Sequence, residues 1–550
     1  MAEPSRGHRA RIVVLGGGFA GIYTAMALEK AMDGRDDFEV VLVNKENYFV
    51  FQPMLAEVIS GSIGMLDVVS PIRRLLPRTD LHVREVEAVD LAAKVVTCSP
   101  GFRAQPHLVP FDHLVLALGS VTDFRGMRGL PEHAFPFKNL GDALSLRNHV
   151  IRAMDEASIE RHDEQLRKAL LTFVVAGGGF SGVEVVAELN DFVRSVARSY
   201  PALDPREIRI VLLHGRDRIL PEVEESLGLF AQKILMERGV EIRFRTHLEA
   251  ASGDEAILKG GERIGTKTLV STVPSFPHPL LSSLNLPKAD NGKLIATRHG
   301  NVEGQTNVWA LGDGAMLPMT DGLPSPPTAQ HATRQGAVVA HNIVATLRGE
   351  PLRTFDFMGL GKMGSLGRRC AVAELPGGIK ISGFVAWFIW RTIYLLKLPG
   401  WGRKLRVASA WGLDLFLSPE LVQLKLGGSG GVHQEHFEPG QEVFRQGDLG
   451  DRVYVILSGA AEVWREADGR VRPLARLGPG DWFGEMALLN QTTRGATVRC
   501  VEAMDALSLP KRDFTVLAAN LPELRESFER VMEARRPGAP RTDDPVTLVR

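Results

Sequence analysis

At 550 residues the chain has room for about three to four domains, each able to bury its own core. Its 44% hydrophobic and 24% charged residues are ordinary for a folded protein, and 65 basic residues against 65 acidic ones argue against a general nucleic-acid binder. The three cysteines, Cys98, Cys370 and Cys500, stand far apart, so no disulfide framework or metal site is expected, and a reducing interior is the simplest setting.

The opening residues lack the apolar core and cleavage site of a signal peptide, because an apolar strand comes at once. That strand leads into IVVLGGGFAG (12–21), in which Gly16, Gly18 and Gly21 form G-x-G-x-x-G before a helical pattern. The sentence is repeated 161 residues later as FVVAGGGFSG (173–182), with Gly177, Gly179 and Gly182. The first glycine of each copy permits a tight turn. The second lets a pyrophosphate approach the backbone at a helix N-terminus, and the third packs helix on strand. Two copies in matched context predict two dinucleotide-binding units.

The next strand of each unit ends where a ribose is read. The first, FEVVLVNKENY, places Asn44 and Lys45 there; the second, IRIVLLHGRDRILP, places His214, with Arg216 close behind. Neither carries the acid expected for a ribose 2′-hydroxyl. Asn44 can still bond a hydroxyl. His214 and Arg216 are either a 2′-phosphate site, favouring NADPH, or a solvated basic loop. Two further strands return toward the first unit: LVLALGS (114–120), with Ala117 and Gly119, and TNVWALGDGAML (306–317), with Gly312 and Asp313. Asp313 is suited to a flavin's ribityl chain, so the pattern is that of a flavoprotein with a nicotinamide partner.

From 381 the chain reads ISGFVAWFIWRTIYLLKLPGWGRKLRVASAWGLDLFL. Arg391, Lys397 and Pro399 interrupt it too often for a spanning helix. Four tryptophans with interspersed cations suit a helix lying in a membrane surface, its cations on headgroups; the alternative is a helix covered by the core or by a dimer partner. LGGSGG (426–431) is a linker signature. Beyond it, glycine-punctuated strands suit a small antiparallel β-roll, ending in FGEMALLNQTTRGATV (483–498) and an amphipathic C-terminal helix.

The first 425 residues resemble type II NADH:quinone oxidoreductases, on GGGFAG (16–21), VNKENYFVFQPML (43–55), GGGFSGVEVVAEL (177–189), RILPEV (218–223), LGDGA (311–315) and PPTAQHATRQG (326–336). The resemblance implies that Gly16, Gly18, Phe19, Ala20, Gly21, Asn44, Lys45, Gln52, Ala117, Gly119, Gly312, Asp313 and Gln330 hold FAD. It implies that Gly177, Gly179, Gly182, His214 and Glu184 face NADH or NADPH. Glu184, read as lying in the first turn of its helix, either reaches the nicotinamide, relays a proton toward the quinone, or merely complements the helix dipole. Gln330 and Gln335 would border the quinone, although Arg334 stands where the family often has a first glutamine of a pair. The absence of a nearby cysteine pair argues against disulfide reductases and weakens a sulfide:quinone oxidoreductase reading.

Residues 434–536 resemble cyclic nucleotide-binding domains, on PGQEVFRQGD, GDRVYVILSG and the FGE…R…AT cassette. By that resemblance Glu485 would take the ribose 2′-hydroxyl and Arg494 the cyclic phosphate of cAMP or cGMP. Phe483, Gly484, Met486, Ala487, Gly495 and Ala496 would complete the cassette. The alternative is a packing module without ligand.

The implied organisation is a FAD-binding domain in two parts, 1–145 and 271–350, and an NAD(P)H-binding domain at 146–270. A membrane-anchoring region at 351–425, a linker at 426–433, a cyclic nucleotide-binding domain at 434–536 and a flexible tail at 537–550 follow. The expected protein is a peripheral enzyme on the cytoplasmic face of the cell membrane, a homodimer by resemblance, passing electrons to a membrane quinone. Rival readings are a soluble flavin reductase with another acceptor and a cyclic-nucleotide-responsive flavoprotein sensor or scaffold.

Overall fold

A computed structural model describes residues 9–32, 37–102, 105–122, 124, 126–272, 275–414, 416–417, 420–424, 432–450, 452–467, 470–489 and 493–510. Most of the expected linker, the C-terminal helix after residue 510 and the tail at 537–550 lie outside the described residues. The chain forms two compact units: 1–125, 135–247 and 268–423 make the first, and 126–134, 248–267 and 424–550 the second.

Two parallel sheets organise the first unit. One runs in the order Val308–Ala310, His113–Leu116, Ala10–Leu15, Phe38–Asn44, Asp80–Val83. The other contains Thr268–Ser271, Thr172–Ala176, Arg209–Leu213 and Val240–Arg243 in that order. Their central strands are unbroken apolar runs because both faces are covered: Ile12, Val13, Val14 and Leu15 are wholly buried, as are Phe173, Val174 and Val175. Each central strand feeds a helix, Phe19–Ala31 in one and Phe180–Val196 in the other. The first helix packs closely on Ala329–Arg348; a Cβ on Gly336 would lie 2.9 Å from the Thr24 nitrogen.

After Ala329–Arg348 comes a three-stranded antiparallel sheet, Lys362–Ser365, Ala371–Leu375 and Ile379–Ser382, then helices Gly383–Lys397 and Trp401–Asp414. Among the described residues no helix is long and apolar enough to cross a membrane. Part of this segment faces the core, as in the alternative of a covered helix. Trp387, Trp390 and Trp411 are buried, and Arg391 points inward to Glu57 at 3.2 Å. The Arg391 guanidinium lies 4.2 Å from the Trp387 ring and 4.6 Å from that of Trp411. A buried guanidinium needs a counter-charge, and Glu57 supplies it. Phe384, Phe388, Leu396, Trp401, Leu405 and Phe416 are among the apolar side chains left exposed.

The second unit is built on an antiparallel sheet in the order His433–Phe437, Thr497–Pro510, Arg452–Ala467, Arg470–Leu477. Phe437, Tyr454, Ile456, Phe483, Val498 and Met504 are part of its core. Two segments from earlier in the chain join it. His133 Nε2 bonds the His436 carbonyl at 2.8 Å, Arg128 pairs with Glu438 at 3.2 Å, and Gln441 donates to Asp254 at 2.9 Å. His436 is itself buried between Asp505 at 2.6 Å and Glu438 at 3.3 Å.

Candidate active site

The two glycine turns of the first unit are built alike. Gly16 (φ +103°) and Gly177 (φ +119°) take a left-handed conformation that side chains avoid, and each donates its N–H to the carbonyl closing the second strand, Val43 or Leu213, at 2.9 Å. The third glycines press helix on turn: a Cβ on Gly21 would lie 1.8 Å from the Gly16 oxygen, and on Gly182 1.7 Å from that of Gly177. The middle glycine, which the G-x-G-x-x-G pattern leaves open, is fixed here as well. Gly17 N–H donates to Asn44 Oδ1 at 2.8 Å, and Gly178 N–H to His214 Nδ1 at 3.2 Å. Asn44 and His214 thus brace their own turns, a role the sequence pattern did not disclose.

The first turn opens on a cavity of about 550 Å³. Gly16, Gly18, Phe19, Ala20, Asn44, Lys45, Gln52, Ala117, Gly119, Gly312 and Asp313 all line it, so stretches far apart in sequence converge. Gly18 has no atom within 4 Å of where a Cβ would stand, which leaves its backbone approachable. Gly21 stands behind the turn. The lining fits a dinucleotide such as FAD: a helix N-terminus and bare glycines for the pyrophosphate, polar groups for the ribose and ribityl chain, and apolar walls. Sequence reasoning missed Lys138, which also lines the cavity. It donates to Ser120 and Ser275, and Ser120 donates to Asp313 Oδ2 at 3.0 Å. Burial lowers the Lys138 ammonium's pKa, against the pull of Asp313. Lys138 falls in FPFKNLGDAL, which has no motif signal.

Gln330 and Gln335 are on the helix Ala329–Arg348 but outside that lining. Gln330 binds the Gly361 carbonyl at 3.1 Å and the Leu360 N–H at 3.0 Å. Gln335 is buried; it accepts from Gly312 N–H at 2.8 Å and donates to Ser325 at 2.7 Å, so it braces the Gly312–Asp313 turn from behind.

At the second turn Gly179 is neighboured by Glu222, whose Oε1 would lie 2.9 Å from a Cβ there. Arg216 is exposed beyond the strand end. The helix begins at Phe180, so Glu184 is its fifth residue and not in the first turn; complementing the helix dipole does not account for it. Its Oε1 accepts from Ser365 N–H at 3.1 Å. Desolvation pushes its carboxyl up to about 8, helped by the charge of Glu57. A carboxyl with that affinity keeps its proton at neutral pH and is suited to proton transfer.

Comparison with known proteins decides the family. The sequence profile of the pyridine nucleotide-disulphide oxidoreductases matches residues 10–336, that of the NDH2 C-terminal domain 360–417, and that of the cyclic nucleotide-binding domain 434–520. The chain belongs to the type II NADH:quinone oxidoreductases. It is 32% identical over 417 residues to demethylphylloquinone reductase NdbB of Synechocystis, covering 73% of this chain and 96% of that one. It is 30% identical over 430 residues to type II NADH:quinone oxidoreductase NdhA of Mycobacterium tuberculosis, covering 75% and 88%. The fold matches NDH2 from Plasmodium falciparum in complex with NADH, with a TM-score of 0.70 at 18% identity, over 76% of this chain and 100% of that one. A C-terminal cyclic nucleotide-binding domain extends the family architecture.

In that domain the cassette is folded on itself. Glu485 and Arg494 are both buried. Arg494 donates from one Nη to the Gly484 carbonyl at 2.7 Å and from the other to the Arg452 carbonyl at 2.8 Å, and its guanidinium stacks 4.1 Å from the Phe444 ring. Gly484 (φ +91°) must be glycine, since a Cβ would lie 2.7 Å from Arg494 Nη1. Phe483 stacks on Tyr454 with centroids 5.1 Å apart; Ala487 is buried, while Met486 and Gly495 are exposed and Ala496 is half-buried.

Proposed function

We propose that this chain is a FAD-dependent NADH:quinone oxidoreductase that works at a membrane surface without pumping protons, and that its C-terminal domain answers to a cyclic nucleotide. The carrying observation is the 550 Å³ cavity on which the first glycine turn and both returning strands converge, beside a second turn of the same construction. A bound flavin supplies two-electron exchange between a nicotinamide and an acceptor. The residues do the rest. The Gly16–Gly21 turn and its helix hold the pyrophosphate, and Asp313, with Ser120 and Lys138, binds the ribityl side of the cofactor. The Gly177–Gly182 turn receives the nicotinamide nucleotide, and Glu184 holds a proton for the acceptor. Gln330 ties the 360s segment to the quinone side.

The FAD- and NAD(P)H-binding parts are taken as 1–145 with 271–350 and as 146–270, save that 126–134 and 248–267 group with the C-terminal unit. The exposed row Phe384, Phe388, Leu396, Trp401, Leu405 and Phe416 supports docking of the 381–425 region on lipid, with exposed Lys397 and Arg406 beside it. The side is taken as cytoplasmic, where NADH is, and the dimer rests on the resemblance alone. For the C-terminal domain, Arg494 and Glu485 support cAMP or cGMP as ligand. An incoming phosphate would have to replace the carbonyl partners of Arg494 in the described conformation. The test is oxidation of NADH and of NADPH by the FAD-loaded protein with a short-chain quinone, each with and without cAMP. Quinone-dependent turnover supports the enzyme reading; none with any quinone would overturn it. Indifference to both cyclic nucleotides would overturn the regulatory part alone.

A further inference from the structure

Reduction of a quinone by NADH takes up one proton per turnover: NADH + H⁺ + Q gives NAD⁺ + QH₂. If the quinone reading above holds, that proton must be delivered to the acceptor. The helix Phe180–Val196 carries Glu184, Glu188 and Asp191 at i, i+4 and i+7, which sets three carboxylates in one stripe on one face. Such a stripe would ordinarily face water. Here Glu188 is 5% exposed and lies in the protein interior.

The surroundings of Glu188 are polar and connected. Ser60 of the short helix Glu57–Ser60 lines the same small space, its hydroxyl donating to the Glu57 carbonyl at 3.1 Å, and the Glu57 carboxyl acts on Glu188 as a like charge. Arg391 and Asp414 approach from the two C-terminal helices, and Arg368 from the segment after Lys362–Ser365. Glu188, Asp191, Ser60, Ser62, Arg391 and Asp414 line a small cavity of about 40 Å³, room enough for a water. Arg391 Nε is buried without a hydrogen-bond partner. Asp191 lines that cavity and also a surface cleft of about 570 Å³ with Asn190, Arg194, Arg238 and Arg368. Its carboxylate accepts from the Arg368 N–H at 2.6 Å, so it stands between solvent and interior. At the other end Glu184 stands one helical turn before Glu188 on the same face, and burial raises the proton affinity of both carboxyls.

We infer that Asp191, the small cavity and Glu188 form the route by which a solvent proton reaches Glu184. Glu188 is a positioning and relay residue and touches no substrate. Each carboxyl gives its proton to the next and is reprotonated from the solvent side, so no net charge accumulates in the interior.

The test uses the full-length, FAD-loaded protein and its Glu188→Gln, Glu188→Asp and Asp191→Asn variants. Infrared titration of the resting protein reads the first outcome. Glu188→Gln is expected to lose a protonated-carboxyl band present at neutral pH in the wild type; an unchanged band overturns the inference whatever the turnover. Stopped-flow mixing reads the second. Flavin bleaching by NADH is expected to keep its rate within about twofold, while reoxidation by a short-chain quinone slows at least about tenfold in Glu188→Gln. Glu188→Asp, or added small weak acid, is expected to restore part of it. Should Glu188→Gln fail to fold, Asp191→Asn at the half-buried mouth carries the test, through slower reoxidation that worsens as pH rises and recovers with weak acid. Reoxidation rates and pH profiles equal to wild type in the folded variants would overturn the route. Wild-type protein that no quinone reoxidises would instead overturn the function on which it rests, leaving the infrared outcome to be read by itself.

Discussion

The two glycine turns share a backbone and differ in what they face. The first opens at Gly18 on space and a large cavity, while the second has the Glu222 carboxylate beside Gly179. Asn44 braces the first turn and is held in turn by the Glu46 carbonyl at 2.8 Å; His214 braces the second with its Nε2 buried and unbonded. The same ten-residue device therefore serves two kinds of ligand. One turn belongs to a socket formed by many distant stretches of chain, suited to a resident cofactor. The other is lightly walled and partly screened by a negative charge, suited to a nucleotide that must leave after each turnover.

That contrast can be broken by mutation. Gly16→Ala should have the largest effect, since a Cβ would lie 2.4 Å from the Ala117 oxygen in a left-handed turn. The purified protein should lack the flavin's visible absorption, whereas Gly177→Ala should stay yellow and lose NADH oxidation. If both variants retained flavin equally, the socket would not be where we place it. Glu184→Gln should come next, lowering quinone-dependent turnover about a hundredfold with the flavin still bound, as loss of a general acid does. Near-normal turnover would remove Glu184 from the chemistry.

The Glu184 proton also predicts two pH dependences. Its carboxyl titrates near 8 in the fold against 4.5 in the free side chain. Between those values the native state holds a proton that the unfolded state has released, so this group's contribution makes stability fall as pH rises from about 4.5 to about 8. The thermal midpoint of Glu184→Gln should fall less steeply over that window than that of wild type. Quinone-dependent turnover of wild type should decline as pH passes about 8, a step that the variant lacks. The smallest expected effect is Glu222→Gln, which removes one exposed charge and should lower the KM for NADH about two- to threefold. An increase would mean that Glu222 binds the nucleotide.

Much of this was legible in the sequence because turn chemistry is local. IVVLGGGFAG and FVVAGGGFSG fix strand, turn and helix within a few residues, and LVLALGS and TNVWALGDGAML each carry a strand of the first sheet that ends in a glycine turn. What was not legible depends on partners distant in sequence. Lys138 sits in an unpatterned loop and gains its meaning only from Ser120 and Asp313. Arg391 lies in an apolar stretch that pointed to headgroups, yet Glu57, 334 residues away, draws it inside. The middle glycines looked free until Asn44 and His214 were seen against them. Nothing in residues 126–134 or 248–267 announced that they pack with the C-terminal sheet, through contacts such as His133 with His436.

The most direct test of the central claim is a turnover assay of the purified, FAD-loaded full-length protein with NADH and a short-chain quinone, before and after the substitution Gly177→Ala. We predict rapid quinone-dependent NADH oxidation that vanishes in the variant while its flavin absorption persists. NADH oxidation surviving that substitution, or wild-type protein that passes no electrons to any quinone, would contradict the assignment of one turn to a resident flavin and the other to a visiting nicotinamide.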